Sequence, residues 1–265
     1  MIDIHNHIIY GVDDGSRSFD ESMKMVELFM NNGFKEIIAT SHYDPSRYMV
    51  KKEDILEKSS ILNEEIKKRN LDFKIHPGHE IHVEPNTLDK IHKKELLTLN
   101  NSRYVLLELS FVNKPLFLTD LIYNLSLEGY IPIIAHVERY PYVEKNISYL
   151  YEFIKMGALV QINYSSMKSH HHTTKKLLEK NMVHFIGTDS HQSEWRSPNI
   201  EDEKNEIIEI IGREKFEKLT QTNPQKIIND EFIPSGYDEI VREEEQVKKK
   251  SKKKSLFNFW RKKWR

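Results

Sequence analysis

The first fifteen residues of the chain, MIDIHNHIIYGVDDG, contain two histidines separated by one residue, His5 and His7. Residues two apart on a β-strand point to the same face, so these imidazoles would project side by side and could bind one divalent metal ion. The glycines of residues 11–15 allow a sharp turn that brings a carboxylate back toward the pair. An isolated pair of this kind is as often structural as metal-binding, so its meaning depends on the rest of the chain.

Histidines and carboxylates also lie at or just beyond the ends of later apolar runs, so that six of the seven predicted strands, the first included, carry candidate ligands. The carboxyl ends of successive strands converge on one face of a parallel barrel, and active sites are built on that face. The sixth strand offers only Asn163, which we leave out of the ligand set. The candidate ligands are His5, His7, Asp14, His42, Glu80, Glu108, His136, Asp189 and His191.

Short apolar runs alternate with amphipathic stretches about seven times along the chain. After the strand that carries His5 and His7, strands are predicted at 36–41, 71–76, 104–109, 131–135, 158–163 and 183–187. Helices are predicted at 19–32, 54–70, 86–97, 115–128, 148–156, 173–181, 200–211 and 214–220. This alternation favours an α/β protein with a parallel sheet over a sandwich, and the position of the ligands favours closure into a barrel.

Composition and charge exclude several classes of protein. The chain has no cysteine, which excludes a thiolate nucleophile, a disulfide framework and a cysteine-type zinc site. No apolar run reaches the length of a membrane span and a strand begins at the first residues, so we expect a cytoplasmic protein. Residues 246–265 hold ten of the 40 basic residues and no acidic one, which leaves 30 basic against 41 acidic residues elsewhere. Such an acidic body disfavours nucleic acid as a partner.

The donor types indicate which metal ions would bind. Carboxylates and imidazoles without thiolates suit Mn²⁺, Zn²⁺ or Fe²⁺. Nine ligands are too many for one ion and suit a cluster in which a carboxylate bridges neighbouring ions, as in two-metal hydrolytic sites. Such a cluster can hold a phosphate ester and lower the pKa of a bound water.

The combined motifs resemble the PHP (polymerase and histidinol phosphatase) superfamily. Within it, the chain is most similar to the manganese-dependent protein-tyrosine phosphatases of capsule and exopolysaccharide operons, the CpsB/CapC/YwqE group. The segments that carry this resemblance are Ile2-Asp3-Ile4-His5-Asn6-His7, Val12-Asp13-Asp14-Gly15, Ala39-Thr40-Ser41-His42 and Ala135-His136-Val137-Glu138-Arg139-Tyr140. The resemblance implies a distorted (β/α)7 TIM-like barrel over residues 1–232 and a site with three divalent ions. These would be Mn²⁺, with Zn²⁺, Fe²⁺ and Co²⁺ as alternatives.

The family's metal ligands and catalytic arginine can be carried over to matching positions in this chain, whereas its Arg-Pro segment differs here, where Ser197 stands before Pro198. The resemblance implies one ion held by His5, His7, Glu80 and Asp189; a second by Glu80, Glu108 and His136, with Glu80 bridging; and a third by Asp14, His42 and His191. It also implies that Arg139 donates to the phosphate as the catalytic arginine. The implied reaction is hydrolysis of phosphotyrosine by attack of a metal-activated water. The implied substrate is a membrane-associated bacterial tyrosine autokinase that regulates capsule or exopolysaccharide synthesis.

Other functions are also compatible with the sequence. A small-molecule phosphatase of the histidinol-phosphatase type could use the same metal site, and a nuclease or polymerase-associated module is disfavoured by the acidic body. A non-catalytic metal-stabilised scaffold would not need nine ligands from six strands. A homo-oligomer is compatible with the sequence.

The C-terminal residues 233–265 form a charged tail that we expect to be disordered. Six lysines fall within residues 248–254, and the last ten residues mix Leu256, Phe257, Phe259, Trp260 and Trp264 with cations. A solvated charge run and a nucleic-acid-binding tail are alternatives. The aromatics favour peripheral contact with an anionic membrane, because Trp and Phe settle at the headgroup boundary and each cation adds attraction.

The remaining histidines and arginines have weaker signals. His79 is next to Glu80 but is not expected to be a ligand, and residues 170–172 (three histidines) are predicted to be solvated in a polar loop. Asp13 is predicted to be a turn residue. The roles of Arg17, Arg47 and Arg196 are left open, and ordinary surface or core positions are predicted for His76, His82, His92 and His184.

Overall fold

The computed structural model describes residues 1–242, and within them eight strands form one sheet. Seven strands pair in parallel in the order β1, β2, β4, β5, β6, β7, β8, and the short β3 pairs antiparallel with β2. The strands are β1 Ile2–Asp3, β2 Glu36–Asp44, β3 Tyr48–Met49, β4 Lys74–His82, β5 Tyr104–Glu108, β6 Ile131–Ile134, β7 Leu159–Asn163 and β8 Phe185–Gly187.

The first and last parallel strands meet, so the sheet is a nearly closed barrel. Asn6 forms a parallel bridge with Ser190, the N–H of His7 donates to the Ser190 carbonyl at 2.8 Å, and the N–H of Asp189 donates to the His5 carbonyl at 2.7 Å. The first strand was expected to carry His5 and His7, but the regular part of β1 is shorter and ends before His5. The predicted α/β barrel is confirmed.

Helices cover the outside of the sheet between successive strands. The first, α1, begins after Ser18, whose hydroxyl caps the helix by accepting the N–H of Glu21, and it buries Met25, Val26 and Phe29. The helices are α1 Phe19–Asn31, α2 Lys52–Lys68, α3 Thr87–His92, α4 Leu118–Leu127, α5 Pro141–Lys145, α6 Tyr149–Lys155, α7 Ser166–Ser169, α8 His171–Glu179, α9 Glu201–Ile211, α10 Arg213–Glu217 and α11 Asn223–Ile228. Short 3₁₀ turns lie at Leu99–Asn101 and Val137–Arg139, and a π-helical turn lies at Lys218–Thr222.

The prediction that the third parallel strand ends at residue 76 is wrong. β4 continues through Pro77 and Gly78 to His82, and Pro77 pairs with Ala39 of β2. The glycine serves close packing rather than a turn, because a Cβ at residue 78 would lie 3.0 Å from Leu99 and 3.1 Å from Ile38. Glu80 therefore points from within the strand, which holds its carboxylate more rigidly than a loop would.

The core lies inside the barrel and between the sheet and the helices. Every residue of β5, β6 and β7 is buried, which explains their nearly continuous apolar runs. The barrel interior below the polar end is filled by Ile4, Ile38, Leu106, Ile133, Leu159 and Phe185. This packed interior supports the carboxyl ends of the strands from below.

Residues 233–242, which the sequence assigns to the tail, include side chains that pack on the barrel. Ile233 and Ile240 are buried, and the Ser235 carbonyl accepts a hydrogen bond from Nε2 of His184 at 2.9 Å. The rest of the predicted tail, residues 243–265, lies outside the described residues. None of the helices within residues 1–242 combines the length and hydropathy needed to cross a membrane.

Candidate metal centre

The structure brings all nine predicted ligands together at the carboxyl end of the barrel. They form four overlapping groups, in each of which the possible ligand atoms lie within 4.8 Å of one another. The groups are His7, Asp14, His42 and His191; His5, His136 and Asp189; His5, His7 and Glu80; and His42, Glu80 and Glu108. The predicted convergence of ligands from successive strands is thus present in the fold.

The first implied set meets around the Nε2 atoms of His5 and His7. These atoms lie 3.2 and 3.4 Å from Oε2 of Glu80, and 3.7 and 3.4 Å from Oδ1 of Asp189. The two imidazole centroids are 5.6 Å apart, so the side-by-side arrangement expected from the spacing is found although β1 ends before His5. Two imidazoles and two carboxylates therefore face one point.

Glu80 lies between this set and the second one. Its other oxygen, Oε1, is 2.9 Å from Nε2 of His136, and the same nitrogen is 3.7 Å from Oε1 of Glu108. Oε2 of Glu80 is also 3.0 Å from Nδ1 of His42. A carboxylate whose two oxygens face different groups of imidazoles is suited to bridge two ions.

The third implied set gathers around Oδ1 of Asp14. This oxygen lies 3.5 Å from Nε2 of His42 and 3.5 Å from Nε2 of His191. The ring of His7 is close to both, with centroids 4.4 Å from His42 and 4.0 Å from His191. The third set therefore adjoins the first.

The donors fit divalent metal ions. Nε2 of His5, Nε2 of His7 and Oε2 of Glu80 are buried, and none has a well-formed hydrogen bond within residues 1–242. Leaving buried polar atoms without partners costs free energy, which coordination to an ion would offset. Burial alone would raise the pKa of Glu80, but His5 and His42 hold that pKa well below its usual value, so this carboxylate stays ionised.

The turn after β1 supplies a carboxylate that orients a ligand. Oδ2 of Asp13 accepts Nδ1–H of His7 at 3.0 Å, which leaves Nε2 of His7 free to bind metal. Only glycine fits at position 15, because a Cβ there would lie 2.1 Å from the His7 carbonyl. The sequence predicts that this turn brings a carboxylate back toward the histidine pair, but it assigns Asp13 only a role in the turn. The contact of Asp13 with His7 could not be predicted, because it depends on the folded loop.

The strand without a ligand, β7, positions the others. Nδ1–H of His5 and the backbone N–H of His136 both donate to Oε1 of Gln161, at 3.2 and 2.7 Å. The Gln161 amide donates to Oδ1 of Asn163, and the Asn163 amide donates to Oδ2 of Asp189, both at 2.8 Å. This network fixes three candidate ligands. In the sequence, the sign of this network is that Gln161 and Asn163 are two residues apart in a buried strand, so their amides lie on the same face.

Two arginines contact the same carboxylate at the rim. Oδ2 of Asp189 accepts from Nη1 of Arg139 at 2.9 Å and pairs with Nη2 of Arg196 at 2.5 Å. Burial opposes ionisation of Asp189, yet His5, His7 and Arg196 keep its pKa well below the usual value. The guanidinium groups border a cavity of about 110 Å³ above the cluster. The left-handed backbone of His136, at φ 31°, starts the turn that brings Arg139 back to the site.

The other histidines occupy structural positions. His79 is buried, accepts the Leu97 N–H and donates to the Val50 carbonyl, so it is held away from the cluster as expected. His82 has a closer connection than predicted, because Nδ1 lies 3.3 Å from Oε2 of Glu108. His171 and His172 are exposed, but they lie on α8 rather than in a loop.

The remaining weakly predicted residues divide between the pocket and the solvent. Arg47 borders the cavity, whereas Arg17 is exposed and outside it. His76 and His184 are buried in polar contacts, as expected for ordinary core positions.

The family model for capsular polysaccharide synthesis proteins, CpsB/CapC, matches residues 1–229. The chain belongs to the CpsB/CapC family. Among curated relatives, the tyrosine-protein phosphatase CpsB of Streptococcus pneumoniae is 34% identical over 246 residues, covering 88% of this chain and 100% of that protein. The tyrosine-protein phosphatase YwqE of Bacillus subtilis is 31% identical over 238 residues, covering 88% and 93%.

Solved structures agree with this membership. A crystal structure from work on YwqE of Bacillus subtilis and CpsB of Streptococcus pneumoniae, described as unique metal-dependent tyrosine phosphatases, superposes with a TM-score of 0.83. It is 31% identical and covers 88% of this chain and 96% of its own. Histidinol phosphate phosphatase of Lactococcus lactis superposes with a TM-score of 0.55 at 19% identity, over 80% of this chain and 93% of its own, and shares the fold.

Proposed function

We propose that this protein is a metal-dependent protein-tyrosine phosphatase. The observation that carries the proposal is the cluster of nine imidazole and carboxylate side chains, Glu80 among them, with two arginines at its rim. Membership of the CpsB/CapC family and the names of the curated relatives support the same activity. The absence of cysteine from the sequence fits hydrolysis without a phosphocysteine intermediate.

Different groups of residues have different roles in hydrolysis. The nine ligands hold the ions, which when bound would withdraw charge from the phosphate and lower the pKa of water. Arg139 and Arg196 supply charge-assisted donors to the phosphoryl oxygens, where negative charge grows in the transition state. Gln161 and Asn163 keep His5 and Asp189 oriented, so the site needs little reorganisation during the reaction.

We propose Mn²⁺ as the metal, with Zn²⁺, Fe²⁺ and Co²⁺ as alternatives, because the donor set mixes imidazoles with carboxylates. Mg²⁺ prefers shells of oxygen that keep several waters. Chelation should abolish activity, and Mn²⁺ should restore it at least as well as Mg²⁺. Full activity after the protein has been stripped to undetectable metal would refute metal dependence.

We propose a membrane-associated bacterial tyrosine kinase with a phosphorylated tail as the substrate. Residues 246–265 would hold the phosphatase near it by binding an anionic membrane at the cytoplasmic face, through ten cations and four aromatic residues. Such attachment raises the effective concentration of enzyme at the substrate without changing the chemistry.

The test of the function compares three substrates under the same conditions. A phosphotyrosine peptide, histidinol phosphate and a short oligonucleotide are incubated with the metal-loaded protein, and the metal content is measured in parallel. The proposal expects rapid release of phosphate from the peptide alone. Preferential hydrolysis of histidinol phosphate would establish the small-molecule alternative, and cleavage of the oligonucleotide would indicate a nuclease.

A further inference from the structure

The cavity above the ligand cluster is lined mainly by charged and polar side chains, and two aromatic rings, Tyr48 and Phe111, complete its lining. Its volume is about 110 Å³. Its floor is polar and includes Glu80, Glu108 and Asp189. This polar floor suits a phosphoryl group with its attacking water, whereas the two rings of the lining suit an apolar part of the substrate.

One side of the mouth is formed by Phe111, in the loop after β5. Its ring stacks on the imidazole of His136 with centroids 5.6 Å apart and an interplanar angle of 25°, and it is 5.2 Å from the Tyr140 centroid. The guanidinium carbon of Arg139 lies 5.2 Å from the Phe111 centroid. Phe111 is 37% exposed, so one part of a well-supported ring faces the opening.

A second ring, Tyr48, occupies another side of the mouth. It lies on β3, whose pairing with β2 through Asp44 holds it over the site, and it stacks on His42 at 5.8 Å with an angle of 12°. His42 on β2 and His136 after β6 are separated in the sheet by β4 and β5. Tyr48 and Phe111 therefore border the cavity from different sides, each stacked on a candidate metal ligand.

We infer that Phe111 and Tyr48 bind the aromatic ring of phosphotyrosine and make the enzyme selective for aryl over alkyl phosphate esters. This inference rests on the proposed phosphatase function. Aromatic rings attract one another in stacked or edge-to-face arrangements, and burial of the substrate ring between them adds hydrophobic stabilisation. A serine phosphate would reach the same ions and arginines but would leave both rings in contact with water.

The experiment measures kcat and KM of the metal-loaded protein on a phosphotyrosine peptide and on the same peptide with phosphoserine. Phenolate leaves more readily than an alkoxide, so the readout is the change in the ratio of the two kcat/KM values relative to the unmodified protein. Phe111→Ala and Tyr48→Ala should each reduce this ratio about tenfold. The loss should fall mainly on KM, because ring contacts act equally in the ground and transition states.

Conservative variants and a neighbouring control make the test specific. Phe111→Tyr and Tyr48→Phe retain a ring and should keep the ratio within about twofold of its original value. Val112→Ala changes a neighbouring side chain that is 83% exposed and outside the cavity lining, so it controls for a general effect on the loop.

The possible outcomes distinguish failure of the ring site, formed by Phe111 and Tyr48, from failure of the proposed phosphatase function. A selective fall in the ratio, recovered by the ring-retaining variants, supports the ring site. Equal losses on both peptides would show that the rings only support the metal ligands, and the inference would be overturned while the phosphatase function stood. An unmodified protein that hydrolyses neither peptide would refute the proposed function.

Discussion

The Asp13→Asn substitution should weaken metal binding although it alters none of the nine candidate ligands. Asp13 has a buried carboxylate that orders the turn and the first histidine ligands together. Oδ2 accepts Nδ1–H of His7 and the backbone N–H of His42, and Oδ1 accepts the N–H of Gly15, all at 3.0 Å. The Asp13→Asn variant has nearly the same shape, so it tests hydrogen bonding and charge rather than packing.

The expected loss follows from these three contacts. Asparagine offers one acceptor oxygen, so its NH₂ group must face at least one N–H donor among His7, His42 and Gly15. A hydrogen bond to a charged group contributes about 1.5–3 kcal/mol, and groups that orient metal ligands typically affect metal affinity or activity about 10–100-fold. We therefore expect the Asp13→Asn protein to bind Mn²⁺ roughly 10–100-fold more weakly, with a matching rise in the Mn²⁺ concentration that half-activates turnover.

The assay is calorimetric titration of metal-free protein with Mn²⁺, combined with turnover measured across Mn²⁺ concentrations. Asp230→Asn is a matched control, because Asp230 also accepts a backbone N–H, from Arg103, but contacts no candidate ligand. The control should alter stability and leave Mn²⁺ affinity unchanged. Unaltered Mn²⁺ affinity in Asp13→Asn, or an equal loss in both variants, would refute the orienting role.

Three further predictions concern the rim, the amino end of the barrel and the tail. Arg139→Ala should lower kcat on a phosphotyrosine peptide about 10²–10³-fold while the metal content by mass spectrometry is retained, and loss of the metals would contradict its role as a phosphate donor. Burial lowers the pKa of His184 to about 4, so this residue should by itself lower the free energy of unfolding by about 3 kcal/mol as the pH drops from 6.5 to 4, and denaturant titrations of His184→Gln should show a fall that is smaller by about this amount. The full-length protein should float with anionic vesicles, less at high salt, whereas a chain ending at Glu245 should stay in solution; equal flotation would exclude the tail as the membrane contact.

The barrel could be predicted because its signals are local. Buried parallel strands are recognisable as apolar runs, and candidate ligands at their ends indicate a shared face. The extension of β4 was missed because Pro77 and Gly78 favour a turn when only neighbouring residues are considered. Their actual place in the strand depends on the side chains of Ile38 and Leu99, which pack against Gly78 from other elements.

The orienting residues could not be predicted for the same physical reason. Gln161 interacts with His5, which is 156 residues away, and with His136, which is 25 residues away. The chemistry of an amide does not reveal which donors will reach it in the fold. Candidate histidine and carboxylate ligands are recognisable by their type together with their place at the ends of strands, whereas the groups that hold them are recognisable only from their contacts in the fold.

The two ends of the barrel have separate roles, and we therefore expect removal of the tail to leave catalysis unchanged. The described residues that line the candidate pocket extend no further along the chain than Arg196. The segment that leads to the tail packs at the other end, where His184, just before β8, donates to Ser235 and the hydroxyl of Tyr104, at the start of β5, donates to the Glu231 carbonyl. In barrels of this type, residues at the amino ends of strands serve stability and those at the carboxyl ends serve catalysis. A chain ending at Glu245 retains both sets of contacts, so it should hydrolyse a soluble phosphotyrosine peptide at the full rate. A reduced rate on the soluble peptide would show that the tail acts on the site itself rather than through attachment.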